Sequence, residues 1–374
     1  MDIATDGPRR TALHEEHSAL GAHFTDFGGW DMPLRYGSEL AEHRAVRQAA
    51  GLFDLSHMGE IRVTGPDAAV FLNTALVGNL GAVAIGRAKY SLICAEDGGI
   101  IDDLISYRLG DDEYLVVPNA GNALTVAAAL AERAAGFDVR VADESGETSL
   151  IAVQGPHAVA ILHEIVASDQ RDAVSELKYY AATPVEVASV SVLLARTGYT
   201  GEDGFELYLP NAEAPALWRA LLDAGAAHGL VPAGLAARDS LRLEAGMPLY
   251  GNELSREVTP FDVGLGPVVS FKKPEQFVGR AALEARREQN GEFVLVGLAG
   301  TGRRAARSGY AVLAGGETVG RVTSGQPSPT LGHPIALAYV QPQHAAVGTA
   351  VEVDLRGKAE PFTVVELPFY RRDA

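Results

Sequence analysis

Residues 61–68 read Ile-Arg-Val-Thr-Gly-Pro-Asp-Ala, and residues 151–158 read Ile-Ala-Val-Gln-Gly-Pro-His-Ala. Each copy predicts a short strand, a Gly-Pro turn and the start of a helix, because a proline at the first helical position loses no hydrogen bond. One such match is compatible with chance, so the flanking sequence decides whether the chain contains an internal repeat.

A hairpin near each Gly-Pro unit supports the repeat. The first runs from Ser91 through the glycine pair at 98–99 to Asp103, and the second runs from Ser191 through a glycine-rich turn to Glu206. We therefore predict two related α+β lobes, fused and pseudo-symmetric, in which Asp103 and Glu206 occupy equivalent positions and face a shared cleft. The alternative is two unrelated hairpins that both contain acidic turns.

The last part of the chain has a different pattern. From about residue 292 to residue 370, short β-rich runs are separated by glycine and proline turns, which predicts a small all-β domain. We therefore divide the chain into a first α+β lobe at 1–150, a second at 151–275 and a β-rich domain at 276–374. A length of 374 residues agrees with two or three domains.

Charge and hydropathy exclude several functional classes. The formal net charge is -17, so the chain repels the phosphate backbone of nucleic acids and gains nothing from anionic membrane surfaces. No apolar run approaches the roughly 18 residues that span a bilayer. Residues 1–10 are polar and predict no secretory signal. The glycine motifs that cradle dinucleotides or nucleoside triphosphates are absent.

The metal-binding and redox residues are few. Cys94 is the only cysteine, which excludes an intrachain disulfide and a thiolate-rich metal site and favours a reducing cytoplasm. His14 and His17 have a spacing that could ligate a metal, but acidic residues separate them. We expect these two histidines on a solvated helix face and predict no metal site.

Strand alternation separates two adjacent acids after Gly99. The face of Asp103 also carries Ile101, Ile105 and Tyr107. Asp102 falls on the opposite, more polar face. Because a carboxylate among apolar neighbours is costly unless it is partnered or functional, Asp103 is the better functional candidate. The alternative is an acid at a strand end that caps a loop.

Two further charged positions are candidates. Glu206 lies past the turn on the less apolar face of its strand, so it points into a polar cavity or into water, whereas we place Glu202 in an exposed turn. Arg238 and Arg242 are four apart on a predicted helix and share a face. They could bind a carboxylate in fork geometry or form structural ion pairs with neighbouring acids.

Taken together, these segments resemble the T-protein family of aminomethyltransferases of the glycine cleavage system. The matching motifs are Asp26–Leu34, Phe53–Glu60, Gly98–Leu104, Arg196–Glu206, Ala237–Ala245, Leu249–Asn252, Thr323–Gly325, Ser328–Pro329 and Pro368–Tyr370. They follow the family's order and cover nearly the whole chain. Each motif is weak alone, and the set is highly specific.

The resemblance implies a cloverleaf of three domains around a central folate channel. It implies that the lipoyl-carrying H-protein delivers an aminomethyl group, and that tetrahydrofolate accepts its methylene as ammonia leaves. We expect a monomer in isolation. The family's catalytic aspartate matches Asp103. Positions that bind or line the folate match Met58, Tyr90, Tyr107, Asn119, Tyr199, Glu206, Arg238 and Tyr370.

One departure and two alternatives remain open. Many relatives carry a tryptophan where this chain has Pro267, so any role of that indole in packing the channel is in doubt. A folate-dependent demethylase of the same fold would share the folate pocket and differ in its carbon donor. A folate-binding assembly factor would catalyse nothing, but such relatives carry a cysteine motif, and Cys94 lies in an unrelated strand.

Overall fold

The computed structural model describes residues 7–287, 289 and 291–372. Its strands, numbered in chain order, are β1 (His23–Phe27), β2 (Trp30–Arg35), β3 (Ala50–Asp54), β4 (Ile61–Thr64), β5 (Ala88–Cys94), β6 (Ile100–Gly110), β7 (Glu113–Pro118), β8 (Arg140–Asp143), β9 (Thr148–Gln154), β10 (Ala182–Val187), β11 (Val190–Ala195), β12 (Gly204–Pro210), β13 (Leu230–Pro232), β14 (Val294–Gly300), β15 (Ala311–Ala314), β16 (Glu317–Pro327), β17 (Pro334–Val340), β18 (Ala350–Asp354) and β19 (Ala359–Val365). Its α-helices are α1 (His14–Ala19), α2 (Glu39–Gln48), α3 (Ala68–Ala75), α4 (Ala123–Arg133), α5 (Ala158–Ile165), α6 (Arg171–Ser175), α7 (Ala214–Gly225), α8 (Leu235–Glu244) and α9 (Arg280–Arg287).

The first sheet has the strand order β5-β6-β7-β4-β8. Helices α3 and α4 cover one of its faces, where Phe71 and Leu130 pack against Ile61 and Tyr114. Burial of these apolar side chains is the main favourable contribution to the stability of this lobe.

The second sheet has the strand order β10-β11-β12-β9-β3-β13. Helices α5 and α7 cover it, and Trp218 and Phe205 are fully buried in that core. Strand β3 pairs with β9 and β13, although the sequence analysis assigned its residues to the first lobe. The predicted boundary at residue 150 therefore does not separate the two sheets.

The internal repeat is confirmed by the topology. The first unit runs β4-α3-β5-β6-β7-α4, and the second runs β9-α5-α6-β10-β11-β12-α7, which is the same order with the short helix α6 inserted. Both units use the same pairing, with the first strand antiparallel to the last, as β4 pairs with β7 and β9 with β12. The predicted equivalence of two acids is wrong, because Asp103 lies on the third strand of its unit and Glu206 lies on the fourth.

The uncovered faces of the two sheets pack against each other. Their shared core contains Leu115 and Val117 from the first sheet, Phe53 and Ala152 from the second, and Leu241 from α8. Polar side chains on these inner faces are therefore shielded from bulk water, which is what a site between the lobes requires.

The C-terminal domain is a closed barrel in the order β14-β17-β16-β15-β18-β19, and β14 pairs with β19 to close it. The prediction of a small all-β domain is confirmed. Closure removes unpaired strand edges, so the short strands need no further partner. Helix α8 lies against β16 and β17 and connects the barrel to the second lobe.

A buried ionic network joins these parts. The Glu244 carboxylate on α8 accepts hydrogen bonds from Arg47 Nη2 at 2.8 Å and from Thr330 Oγ1 at 2.8 Å. Burial by itself would raise the pKa of Glu244, but hydrogen bonds from His43, Ser328 and Arg47 hold that pKa at about 2. The carboxylate is therefore ionised at neutral pH and ties α2 and the barrel to α8.

The N-terminal segment differs from the prediction. His17 is fully buried and lies 2.9 Å from Asp54, and His14 is 9% exposed and lies 3.0 Å from Asp31. The expectation of a solvated helix face is wrong because α1 packs onto the second lobe. Residues 1–6 of the segment expected to lack a secretory signal lie outside the described residues.

The described residues offer neither a metal-binding cluster nor a membrane-spanning helix. They contain no group of three or more His, Cys, Asp or Glu side chains that could hold a metal ion. In the same residues no helix is both long enough and apolar enough to cross a bilayer.

Candidate active site

A cavity of about 500 Å³ lies between the two sheets. Seven of the residues that the resemblance selects line it: Met58, Tyr90, Asp103, Asn119, Tyr199, Glu206 and Arg238. Cavities of this size and mostly apolar lining are typical of sites for small organic ligands. The tertiary structure therefore brings together residues from both lobes that are up to 180 positions apart in the chain, as Met58 and Arg238 are.

Asp103 presents its carboxylate to the cavity from β6. Its Oδ2 accepts a hydrogen bond from the Tyr90 hydroxyl at 3.0 Å, and its Oδ1 accepts one from Asn119 Nδ2 at 2.7 Å. Burial raises the pKa of Asp103, and these two hydrogen bonds oppose the rise. The carboxylate is thus held in one orientation in a site where water competes weakly.

The predicted neighbours of Asp103 are partly wrong. Ile105 and Tyr107 do lie on the inner side, in the core between the lobes. Ile101 instead packs on the helix-covered side with Leu104, since the β5–β6 register shifts between Ile93 and Cys94. Such a bulge adds one residue to one strand and reverses the alternation beyond it.

Asp102 lies on the strand face opposite Asp103, as the alternation predicted, but helices cover that face. Its side chain is fully buried on the helix-covered side of the sheet. Oδ1 accepts hydrogen bonds from Asn119 Nδ2 at 2.9 Å and Asn122 Nδ2 at 2.7 Å, and Oδ2 accepts one from the Asn119 backbone amide at 2.9 Å. Burial and then the neighbouring Asp103 raise the pKa of Asp102 to about 7, against these bonds.

Glu206 faces Asp103 from the other lobe. Strand β12 alternates as predicted, because Phe205 and Leu207 are in the core of the second lobe and Glu206 and Tyr208 line the cavity. Glu206 accepts a hydrogen bond from the Thr197 hydroxyl and a longer one, 3.5 Å, from Tyr107. Burial raises the pKa of Glu206, although Thr197 and Arg238 lower it.

Tyr107 lies beneath the cavity. It is fully buried, its hydroxyl is 2.8 Å from Thr197 Oγ1, and the Tyr208 hydroxyl donates to it at 3.4 Å. The structure therefore places Tyr107 behind Glu206, as a support of that carboxylate, rather than among the residues that line the cavity.

The two predicted arginines have different environments. Arg242 is buried and pairs with Glu253 at 3.1 Å and Asp239 at 2.7 Å, so it is structural. Arg238 lines the cavity with its guanidinium 4.8 Å from the ring centre of Tyr199. Within the described part of the chain the Arg238 guanidinium makes no hydrogen bond or ion pair. Burial lowers the pKa of Arg238, and Glu206 opposes that effect.

Tyr370 is not brought into the cavity. Its hydroxyl donates to Glu202 at 2.8 Å, its ring lies 4.0 Å from the Arg47 guanidinium, and it lines a second, polar pocket. Glu202 is only 8% exposed and pairs with Arg47 at 2.9 Å, so its predicted placement in an exposed turn is wrong. The local sequence of this turn does not indicate that Glu202 pairs with Arg47, which lies 155 positions earlier in the chain.

The structure adds cavity residues that sequence reasoning missed. His57 is 2% exposed, and burial lowers its pKa to about 4, with Asp54 opposing and Arg238 adding to the effect. Tyr180 and Tyr250 complete an aromatic wall. His57 lies inside a quoted motif, but its position gave no physical reason to single it out. Pro267 is exposed and does not line the cavity.

This arrangement has a defined chemical capacity. Two carboxylates approach the cavity from opposite lobes, and in a low-dielectric site each acts strongly on a nearby donor or developing positive charge. Arg238 can bind an anion or a carbonyl oxygen of a ligand. The aromatic side chains supply flat surfaces against which a planar ring can stack.

Comparisons with known proteins agree with this geometry. Residues 13–273 match the family model described as the GCVT N-terminal domain, and residues 294–371 match the glycine cleavage T-protein C-terminal barrel domain. An aminomethyltransferase of Streptomyces coelicolor is 62% identical over 368 residues, covering 97% of this chain and 98% of that protein. An aminomethyltransferase of Moorella thermoacetica is 48% identical over 364 residues, covering 97% and 98%.

A solved structure extends the similarity to three dimensions. The crystal structure of glycine cleavage system aminomethyltransferase T from Bartonella henselae has a TM-score of 0.89 with this chain. The two are 39% identical, and the match covers 97% of this chain and 98% of the other. By sequence, by domain content and by fold, the chain belongs to the glycine cleavage T-protein family of aminomethyltransferases.

Proposed function

We propose that this protein is the aminomethyltransferase of a glycine cleavage system and that tetrahydrofolate is its one-carbon acceptor. The observation that carries the proposal is the placement of Asp103 and Glu206 on opposite walls of one cavity, beside an arginine that has no carboxylate partner in the described structure. The family membership of the chain supports the same reaction.

The cavity has the features that a folate needs. A pterin ring is flat and bears N–H donors, so it can stack on the tyrosines and donate to the buried carboxylate of Glu206. Arg238 lies near enough to Glu206 to influence its pKa, and it offers N–H donors to carbonyl or carboxylate oxygens of the ligand. A volume of about 500 Å³ is in the usual range for a small-molecule site.

Asp103 is the proposed catalytic residue. A nitrogen of tetrahydrofolate attacks the methylene carbon of the aminomethyl group, and positive charge develops on that nitrogen. The Asp103 carboxylate, fixed by Tyr90 and Asn119, orients the amine and stabilises this charge.

The proposed transfer conserves every atom. The methylene carbon gains bonds to two folate nitrogens and loses its bonds to the amine nitrogen and to the sulfur of the lipoyl arm. The two protons that leave the folate nitrogens are taken up by ammonia and by the thiol, so the products are methylenetetrahydrofolate, ammonia and the dihydrolipoyl arm. No oxidant or reductant is required.

We propose the lipoylated H-protein as partner, since the aminomethyl group needs a carrier whose arm reaches a buried cavity. We also propose a cytoplasmic location, which the single, buried Cys94 suits, and a monomer in isolation.

The deciding experiment is the reconstituted glycine cleavage assay. The other components are supplied with glycine and tetrahydrofolate, and ammonia and methylenetetrahydrofolate are measured with and without this chain. We expect both products to depend on the chain and on lipoylated H-protein. Formation of methyltetrahydrofolate from a methylated amine or sulfonium, without H-protein, would assign the chain to demethylation instead.

A further inference from the structure

Asp102 is a fully buried acid that lies behind Asp103 and does not itself line the cavity. Its carboxylate accepts from three N–H donors, two on Asn119 and one on Asn122, at 2.7 to 2.9 Å. We infer that Asp102 is a positioning residue, which fixes the side chain of Asn119 and through it the catalytic carboxylate of Asp103. This inference rests on the proposed function and deepens it.

Asn119 is the connection between the two acids. Its Nδ2 donates to Asp102 Oδ1 at 2.9 Å, to Asp103 Oδ1 at 2.7 Å and to the Asp103 backbone carbonyl at 3.0 Å. All three partners are acceptors, so the amide must present its NH2 group to them and not its oxygen. A rotation of that amide by 180° would place an oxygen against the Asp103 carboxylate.

Asp102 also binds the main chain of Asn119. Its Oδ2 accepts from the Asn119 backbone amide, so both the main chain and the side chain of Asn119 are tied to one carboxylate. Asn122, in the turn that leads into α4, donates to the same carboxylate. The segment that follows β7 is therefore fastened to β6 at the point where Asp103 enters the cavity.

The charge of Asp102 also acts on Asp103. The carboxylates are adjacent on one strand, so each disfavours ionisation of the other. The other titratable groups near the pair are tyrosines: Tyr90, which donates to Asp103, and Tyr180, Tyr199 and Tyr250. Burial and then Asp102 raise the pKa of Tyr250, and Arg256 opposes this rise. Protonation of Asp102 would leave its carboxyl group fewer acceptor sites for the N–H groups of Asn119 and Asn122, so Asn119 would be held less firmly.

A purely structural role makes a different prediction. If Asp102 only anchored the turn before α4, its loss would lower stability without acting through Asn119 on turnover. The two roles are therefore separable by measuring turnover and thermal stability together, in single and double variants.

The test is a double-mutant cycle of Asp102→Asn and Asn119→Ala, with turnover in the reconstituted assay and melting temperature as readouts. Groups in one hydrogen-bond network couple strongly, so we expect roughly a ten-fold loss of kcat in Asp102→Asn. The double variant should be no worse than Asn119→Ala within about two-fold. Asp97→Asn is the matched control, because Asp97 lies in the turn of the same hairpin with a 69% exposed side chain.

Losses that multiply in the double variant, or unchanged kcat in a folded Asp102→Asn protein, overturn the inference. If Asp102→Asn does not fold, Asn122→Ala replaces it. That change removes one donor from Asp102, raises its pKa further and should move the acid limb of the turnover–pH profile to higher pH. An unmoved profile overturns the inference. An inactive wild-type chain refutes the proposed function and this inference together, whereas independent effects in an active enzyme refute the inference alone.

Discussion

Replacement of Asp103 by asparagine should remove most of the turnover and leave the fold intact. The two side chains have the same shape, and the hydrogen bonds can survive: the new oxygen can accept from Asn119, and the Tyr90 hydroxyl can accept from the new amide instead of donating. The principal change is the loss of one negative charge beside the reacting nitrogen.

The size of the effect follows from burial. A unit charge about 4 Å from a developing charge contributes about 4 kcal/mol at an effective dielectric constant of about 20. Part of this interaction exists already in the ground state, so we expect kcat to fall by a factor on the order of 10² to 10³. Burial raises the pKa of Asp103 in the folded state. Above the ordinary pKa of an aspartic acid, the ionised side chain therefore lowers the free energy of unfolding. The variant should therefore melt at the same temperature as the wild type or higher at pH 7.

The measurement is turnover in the H-protein-dependent assay, with circular dichroism and melting temperature for each variant. Asp97→Asn, at the exposed turn of the same hairpin, controls for a general loss of negative charge. Near-normal turnover in a folded Asp103→Asn protein would refute the assignment of this carboxylate to the reaction.

Three further outcomes are expected. Tetrahydrofolate at about a hundred times its Kd should stabilise the fold by about 2.7 kcal/mol. Arg238→Met should weaken its binding by about ten-fold or more, whereas Arg219→Met, on the exposed side of α7, should not. Calorimetry and thermal shift measure both effects, and equal effects of the two substitutions would contradict the role of Arg238. Burial lowers the pKa of His57 to about 4, below its unfolded value of about 6.5, so the folded protein disfavours the protonated ring. The free energy of unfolding should therefore be highest above pH 6.5 and should fall by up to about 3 kcal/mol as the pH is lowered through 4. Urea unfolding from pH 7 to 4 should show less acid sensitivity in His57→Phe. Glu244→Ala should destabilise the protein by about 3 to 5 kcal/mol, because it removes one of the two buried carboxylates that pair with Arg47 and also the acceptor of His43, Ser328 and Thr330. A denaturation midpoint equal to that of the wild type would contradict this role of the network.

Local pattern was sufficient for the architecture. The Gly-Pro repeat predicted two related lobes, and the short β runs after residue 292 predicted a small all-β domain, because strand and turn preferences depend on near neighbours. The alternation of β12 also predicted correctly which side chains face the core, because it is uninterrupted and Phe205 and Leu207 mark the core face. The resemblance, carried by motifs across nearly the whole chain, then selected nine residues, of which seven line the cavity and Tyr107 and Tyr370 do not.

Strand alternation gave the wrong face for one residue of β6, where the strand is irregular. The bulge opposite Ile93 moved Ile101 to the helix-covered side, and no local signal announced it. The alternation still separated Asp102 from Asp103, but it gave no sign that the more polar face of Asp102 would be buried. Helices α3 and α4 cover that surface in the folded protein, so the acid is buried there and bound by Asn119 and Asn122.

The sequence by itself determined the two-lobe repeat, the small all-β C-terminal domain and the face of Glu206. Only the tertiary structure decided that β3 joins the second sheet, that Glu202 and Tyr370 pair with Arg47 away from the cavity, and that Arg238 rather than Arg242 is available to a ligand. The physical reason is that secondary structure depends on residues a few positions apart, whereas burial and charge pairing depend on partners up to hundreds of positions away. Such partners are established only when the lobes pack together.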